Sequence, residues 1–183
     1  MKTHIEDYFS KLKNTLDKVD RDSILKFAEV ISKTEGKNTV YVLGNGGSSA
    51  IASHFVCDFV KDVASASGKR FKVVSLADNV AVLTAYSNDI DFNLIFVEQL
   101  KNFLNKDDVV IAISGSGNSK NILNAIEYAN NIGATTIGMC GFDGGELIKM
   151  VQHSVLAPAN DMQIVQDSHM AIIHLLMQII KDM

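Results

Sequence analysis

The stretch Tyr41-Val42-Leu43-Gly44-Asn45-Gly46-Gly47-Ser48-Ser49-Ala50 reads as a strand that runs into glycines and then into a helix. Glycines let the backbone turn tightly and approach a ligand closely, and the helix start behind them presents N–H groups that no intrahelical carbonyl satisfies. It is a poor dinucleotide fingerprint. Gly44-x-Gly46 fits G-x-G-x-x-G, but the third glycine position is Ser49 and no Walker lysine follows, so no nucleotide cofactor is expected. By itself the turn is compatible with a ligand site and equally with a tight turn of no further function.

A second turn, Ile113-Ser114-Gly115-Ser116-Gly117-Asn118-Ser119-Lys120, follows the same grammar. Hydroxyls at Ser114, Ser116 and Ser119 are interleaved with glycines at the end of a strand, so they can converge on a phosphate at the next helix's N-terminus. The plainer reading has Ser119 capping that helix. Both turns fall at strand C-termini, where open α/β sheets bind their ligands, and together they favour a phosphorylated small molecule.

Outward from these turns, strands are expected near Thr39–Leu43, Phe71–Ser75, Val109–Ile113, Thr135–Met139 and Ser154–Leu156, with helices at Ser48–Lys61, Asn118–Asn131 and Gln163–Lys181. Strands alternating with helices imply right-handed crossovers and a parallel sheet covered on both faces. The fold expected is therefore α/β: a flavodoxin-like, doubly wound, five-stranded parallel sheet in one domain spanning 1–183. Residues 1–35 read as a helical pair. Ile5, Phe9, Leu12, Leu16 and Val19 recur at spacings of three and four, and Asp22-Ser23 offers an N-cap for a second helix carrying Ile24, Leu25, Phe27, Ala28 and Ile31. The first helix's apolar face is broader than one small domain needs, which places it at a contact with another subunit.

Composition narrows the function classes. A net charge of −4 and the absence of any long Lys/Arg run argue against nucleic acid, and no apolar run approaches a membrane span. The mixed-charge start Met1-Lys2-Thr3-His4-Ile5-Glu6 has no apolar export region, so a cytoplasmic location is expected. Cys57 and Cys140 lie far apart without CxxC spacing, which argues against a disulfide framework or structural zinc site. An anionic ligand must then be held by local backbone and hydroxyl groups, not by a global field.

The chain resembles the sugar isomerase (SIS) fold and, within it, the phosphoheptose (sedoheptulose 7-phosphate) isomerase family. The resemblance rests on Gly44-Asn45-Gly46-Gly47-Ser48 followed by His54, on Leu83-Thr84-Ala85 with Asn88-Asp89, on Ile113–Ser119, and on Gln166 with His169 and His174. It implies that Asn45, Gly46, Gly47, Asn88 and Asp89 hold sugar hydroxyls, while Ser114, Gly115, Ser116 and Ser119 hold the phosphate beside Ser48. It also implies that His54, Asp58, Gln166 and His174 form a site able to carry zinc, between subunits of a homotetramer. Geometry agrees in part. His54 and Asp58, four apart, share a helix face; Gln166 and His174, eight apart, differ by about 80° and can face one cleft; His169 is turned about 140° from His174 and has other surroundings.

Three positions depart from the family pattern. Asp58 stands for its usual glutamate, Ser114-Gly115-Ser116 for its Ser-Thr-Ser, and Ile164 for its arginine. The resemblance implies an aldose–ketose isomerisation of a phosphosugar, sedoheptulose 7-phosphate first, giving D-glycero-D-manno-heptose 7-phosphate through an enediol. Asp58 and His174 are then base and acid, and Gln166 orients substrate. The competing readings are a non-catalytic phosphosugar-binding regulator or assembly factor, of the type that associates with a replication initiator, and an isomerase or epimerase of another phosphosugar. Asp58 can also be read as a solvated residue near Lys61, His174 as a core histidine, and Cys57 as a small buried hydrophobe.

Overall fold

The computed structural model describes residues 2–183. Five strands, β1 (Thr39–Gly44), β2 (Lys72–Ser75), β3 (Val109–Ser114), β4 (Thr135–Gly141) and β5 (His153–Ala157), form one all-parallel sheet in the order β2-β1-β3-β4-β5. Every strand end lies within two residues of its expected place. The helices are α1 (Lys2–Lys18), α2 (Arg21–Ser32), α3 (Gly47–Cys57), α4 (Ala64–Ser67), α5 (Val80–Asp89), α6 (Val97–Phe103), α7 (Lys120–Ile132), α8 (Leu147–Met150) and α9 (Met162–Asp182).

Alternation along the strands assigns each side chain to one of two cores. Val40, Val42, Ile111, Ile113, Ile137, Met139 and Val155 pack with apolar residues of α2, α3 and α9. Tyr41, Leu43, Val110, Ala112 and Cys140 pack on the opposite face with α6 and α7. The central strand β3 is buried at every position, as a strand covered on both faces must be. In this order β1 leads to β2 on one side and β3 starts the other half, so the crevice between β1 and β3 is the topological switch point.

Two local details differ from expectation. The second helix is capped by Asp20, whose carboxylate accepts from Asp22 N–H, and not by Asp22-Ser23. Asp20 has extended backbone and directly follows buried Val19, which leaves it as the first acceptor after α1 has ended. The helix expected over Ser48–Lys61 is also not uniform: α3 passes into a π-helical turn, Asp58–Val63, before α4. The wider winding keeps Phe59 and Val63, four residues apart, fully buried. Phe59 stacks on Phe55 at 4.2 Å between ring centroids, and Phe55 in turn stacks on Phe27. Truncating a ring in such a column costs about 3–5 kcal/mol, which fixes the segment that carries Asp58.

Candidate active site

Both glycine-rich turns open into a cavity of about 190 Å³ at the switch point, lined by Asn45, Ser48, Ser114, Gly115, Ser116, Ser119, Met162 and Gln166. No Lys or Arg is among its lining residues. An anion there meets hydroxyls, and the N-terminal ends of α3 and α7 supply partial positive charge. Ser114 Oγ accepts from Gly117 N–H at 3.2 Å and Ser116 Oγ from Asn118 N–H at 3.3 Å, so each hydroxyl is steered by the turn yet keeps its proton for a ligand. Ser119 occupies the N-cap position of α7 but makes no side-chain cap bond. The capping reading of Ser119 therefore fails: Asn121 Oδ1 accepts from Ile122 N–H instead, and the Ser119 hydroxyl is left to the cavity.

The two turns are locked to one another by a reciprocal amide pair. Asn45 Nδ2 donates to Asn121 Oδ1, and Asn121 Nδ2 to Asn45 Oδ1, both at 2.9 Å. Asn118 braces the second turn from outside, donating to Ser116 C=O at 2.9 Å and accepting from Glu146 N–H at 3.1 Å. Sequence reasoning assigned neither Asn118 nor Asn121 a role. The available signal was that Asn121 lies four before Ala125 and eight before Ala129, on the face of α7 that is buried.

A second cluster lies farther along α3 and α9. His54 Nε2 is 2.8 Å from His174 Nε2 and 3.4 Å from Asp58 Oδ1. Donor atoms of these three residues all fall within 4.8 Å of one another. Asp58 is 3% exposed and its Oδ2 has no hydrogen-bond partner, which overturns the solvated reading. His174 is exposed, not a core histidine. The core histidine is His169, fully buried, whose Nε2–H donates to Cys140 C=O at 3.0 Å; burial holds its pKa down to about 4. Cys57 is exposed, because it lies two residues from Phe55 and so faces away from the core; the buried thiol is Cys140, pushed up to about 12 by burial.

α3 and α9 run side by side from the sheet's C-terminal edge. At their starts Gln166 lies so close over Gly47 that a β-carbon there would meet its amide at 2.5 Å. Seven residues on along α3 and eight along α9 come His54 and His174 in contact. The Gln166 amide therefore lies at the phosphate-turn end, and the backbone position of Gln166 is about 12 Å along the helix axis from that of His174. Asn88 and Asp89 lie at the end of α5, exposed, with Asn88 Nδ2 donating to Asp89 Oδ1 at 2.7 Å, and the chain does not bring them into the cavity. Gly46 has φ +53° and opens α3, so it is fixed by backbone geometry at the rim.

A family model described as the SIS domain matches residues 7–141. The phosphoheptose isomerase of Syntrophotalea carbinolica is 32% identical over 177 residues, covering 93% of this chain and 89% of that one. The chain belongs to the phosphoheptose isomerase family of SIS domain proteins. Its SIS fold is shared with the phosphoheptose isomerase of Francisella tularensis, at 28% identity and TM-score 0.88 over 100% of this chain and 96% of that one. The Neisseria gonorrhoeae phosphoheptose isomerase structure is similar at 25% identity and TM-score 0.89, over 99% and 96%. Membership in this family makes the SIS domain an isomerase and favours the catalytic over the regulator reading. Among the described residues no helix is long and apolar enough to cross a membrane.

Proposed function

We propose that the protein converts sedoheptulose 7-phosphate to D-glycero-D-manno-heptose 7-phosphate. The observation that carries this is the arrangement of two stations on one helix pair: hydroxyls around a cavity at the starts of α3 and α9, and His54, Asp58 and His174 two to three turns farther along. An extended seven-carbon chain measures about 10 Å from C1 to phosphorus, at roughly 1.25 Å of projected length per bond. That matches the 10–12 Å, approximately, by which the two stations are separated along the helices.

With the phosphate on Ser114, Ser116 and Ser119, the Asp58 carboxylate takes a proton from C1 through Oδ1, the oxygen that faces His54, while O2 gains one, giving the 1,2-enediol. Returning the proton to C2 and removing one from O1 gives the aldose. His174 moves the proton between O1 and O2, and Gln166 orients the chain at its phosphate end. The donor set also fits zinc: two imidazoles and a buried carboxylate with an unpartnered oxygen, all within 4.8 Å of one another. His54, Asp58 and His174 would hold the ion, which when bound supplies Lewis acidity toward the C1 and C2 oxygens.

The same logic supports a homotetramer with shared sites. Ile5 and Phe9 on α1 are 54% and 64% exposed, and α5, which carries Asn88 and Asp89, buries none of its own side chains while Val80 and Ile90 stand exposed. A partner's α5 would bring Asn88 and Asp89 to the cleft that the single chain leaves without them. The test is product analysis with sedoheptulose 7-phosphate, fructose 6-phosphate and ribulose 5-phosphate, with zinc content measured in parallel. Turnover confined to the seven-carbon substrate is expected; equal turnover of a five-carbon ketose phosphate would refute the spacing argument.

A further inference from the structure

Gly115 and Gly117 are glycines for different reasons. Gly117 has φ +65°, and a β-carbon there would overlap the Gly144 carbonyl oxygen, so the backbone itself requires glycine. Gly115 is not among the positive-φ glycines, and its backbone would accept a side chain. What a β-carbon at 115 meets is the Met162 side chain, Sδ at 2.5 Å and Cε at 3.1 Å. Glycine at this position makes room for one flexible thioether.

Met162 is the first residue of α9, and its side chain lines two cavities at once. One is the 190 Å³ phosphate cavity. The other, about 410 Å³, is bordered by Ser116, Asn118, Phe142, Asp143 and Asn160. Ser116 lines both as well, and the Met162 sulfur lies against Gly115 on the phosphate-cavity side. The thioether offers no hydrogen-bond donor and is apolar, polarisable and unbranched, so it acts as a wall and not as an anion ligand.

We propose that Gly115 and Met162 form a complementary specificity pair: the thioether, admitted by the missing β-carbon, closes the phosphate cavity on the Phe142 side and limits it to a single phosphoryl group. The inference rests on the phosphosugar reading of this turn. Met162 is a specificity-determining residue, and Gly115 acts through it. Removing the side chain joins the two cavities and admits a longer anion. Adding one at 115 drives the thioether into the space the phosphoryl group needs.

The test is a double-mutant cycle read by calorimetric binding of inorganic phosphate and inorganic pyrophosphate to wild type, Met162→Ala, Gly115→Thr and the double variant, with thermal melts to verify folding. Wild type prefers phosphate, and Met162→Ala lowers that preference about tenfold by admitting pyrophosphate. Gly115→Thr weakens phosphate binding about tenfold in the wild-type background and less than about threefold in Met162→Ala. An equal loss in both backgrounds, or an unchanged preference in Met162→Ala, overturns the pair. If Gly115→Thr does not fold, Gly115→Ala, whose methyl must still displace the sulfur, takes its place in the cycle. A wild type that binds neither phosphate nor any phosphosugar overturns the phosphosugar reading and the pair with it, whereas binding with uncoupled variants overturns the pair alone.

Discussion

Asp58 is built for reactivity at the expense of stability. One carboxylate oxygen lies 3.4 Å from His54, and the other is buried with no partner. An unsatisfied buried acceptor costs about 1–3 kcal/mol, more if charged. Asp58→Leu, which is similar in size and removes the orphan where Asn would only exchange it for an unpartnered amide, should therefore raise the Tm of chelator-treated protein by about 2–4 °C, the shift that ~1 kcal/mol produces in a chain of this size. The same change should lower kcat by about 10²–10⁴-fold, the usual worth of a general base, while phosphosugar binding persists. Calorimetry and steady-state kinetics on one preparation check both, and a variant less stable than wild type would contradict the orphan-oxygen argument. The sequence showed Asp58 through its spacing from His54. It could not show that Oδ2 is orphaned, because that depends on how the folded chain packs around the side chain. Asn118 and Asn121 were hidden for a similar reason: their partners lie across the turns, at Glu146 and Asn45.

At the scale of elements, α9 holds the site together by facing two ways. Gln166 and His174 look toward α3, while His169 anchors the helix to the end of β4 through Cys140. His169 is neutral when folded, with its pKa lowered to about 4 by burial, against about 6.5 in an unfolded chain. Between these values the unfolded state binds a proton that the folded state does not, so stability falls as pH drops from about 6.5 to 4 and this group adds no further loss below that. At roughly 1.36 kcal/mol per unit the loss approaches ~3 kcal/mol. His169→Asn, which keeps a donor but does not titrate, should flatten the Tm–pH curve over that window; an unchanged slope would assign the acid sensitivity to other groups. The long helices and the strands were legible because their apolar residues repeat with a clear period. α6 and α8, at 7 and 4 residues, are too short to show one, and α5 buries no side chain from which a periodic pattern could arise. The π turn escaped because four-residue apolar spacing suits both windings over so short a run.

For the whole molecule, the order β2-β1-β3-β4-β5 is that of a flavodoxin-like sheet, and the sequence carried this doubly wound class through its alternation of strands and helices. Exposed Ile5 and Phe9 on α1, and Val80, Ile90 and Phe92 on and beyond α5, are apolar surfaces that water disfavours. Light scattering should give about four times the 19.9 kDa chain mass, and Phe9→Asp should shift it downward and lower turnover if sites are shared. A monomer with full activity would rule out shared sites. Two stations on α3 and α9 are proposed to carry out an enediol isomerisation of a seven-carbon phosphosugar. The most direct measurement is ¹H NMR of sedoheptulose 7-phosphate in D₂O with wild type and Asp58→Asn. Wild type is expected to produce an aldose signal with deuterium entering at C2, and Asp58→Asn to bind substrate without producing it. A ketose spectrum that stays unchanged under wild type, with the phosphosugar demonstrably bound, would contradict the enediol isomerisation.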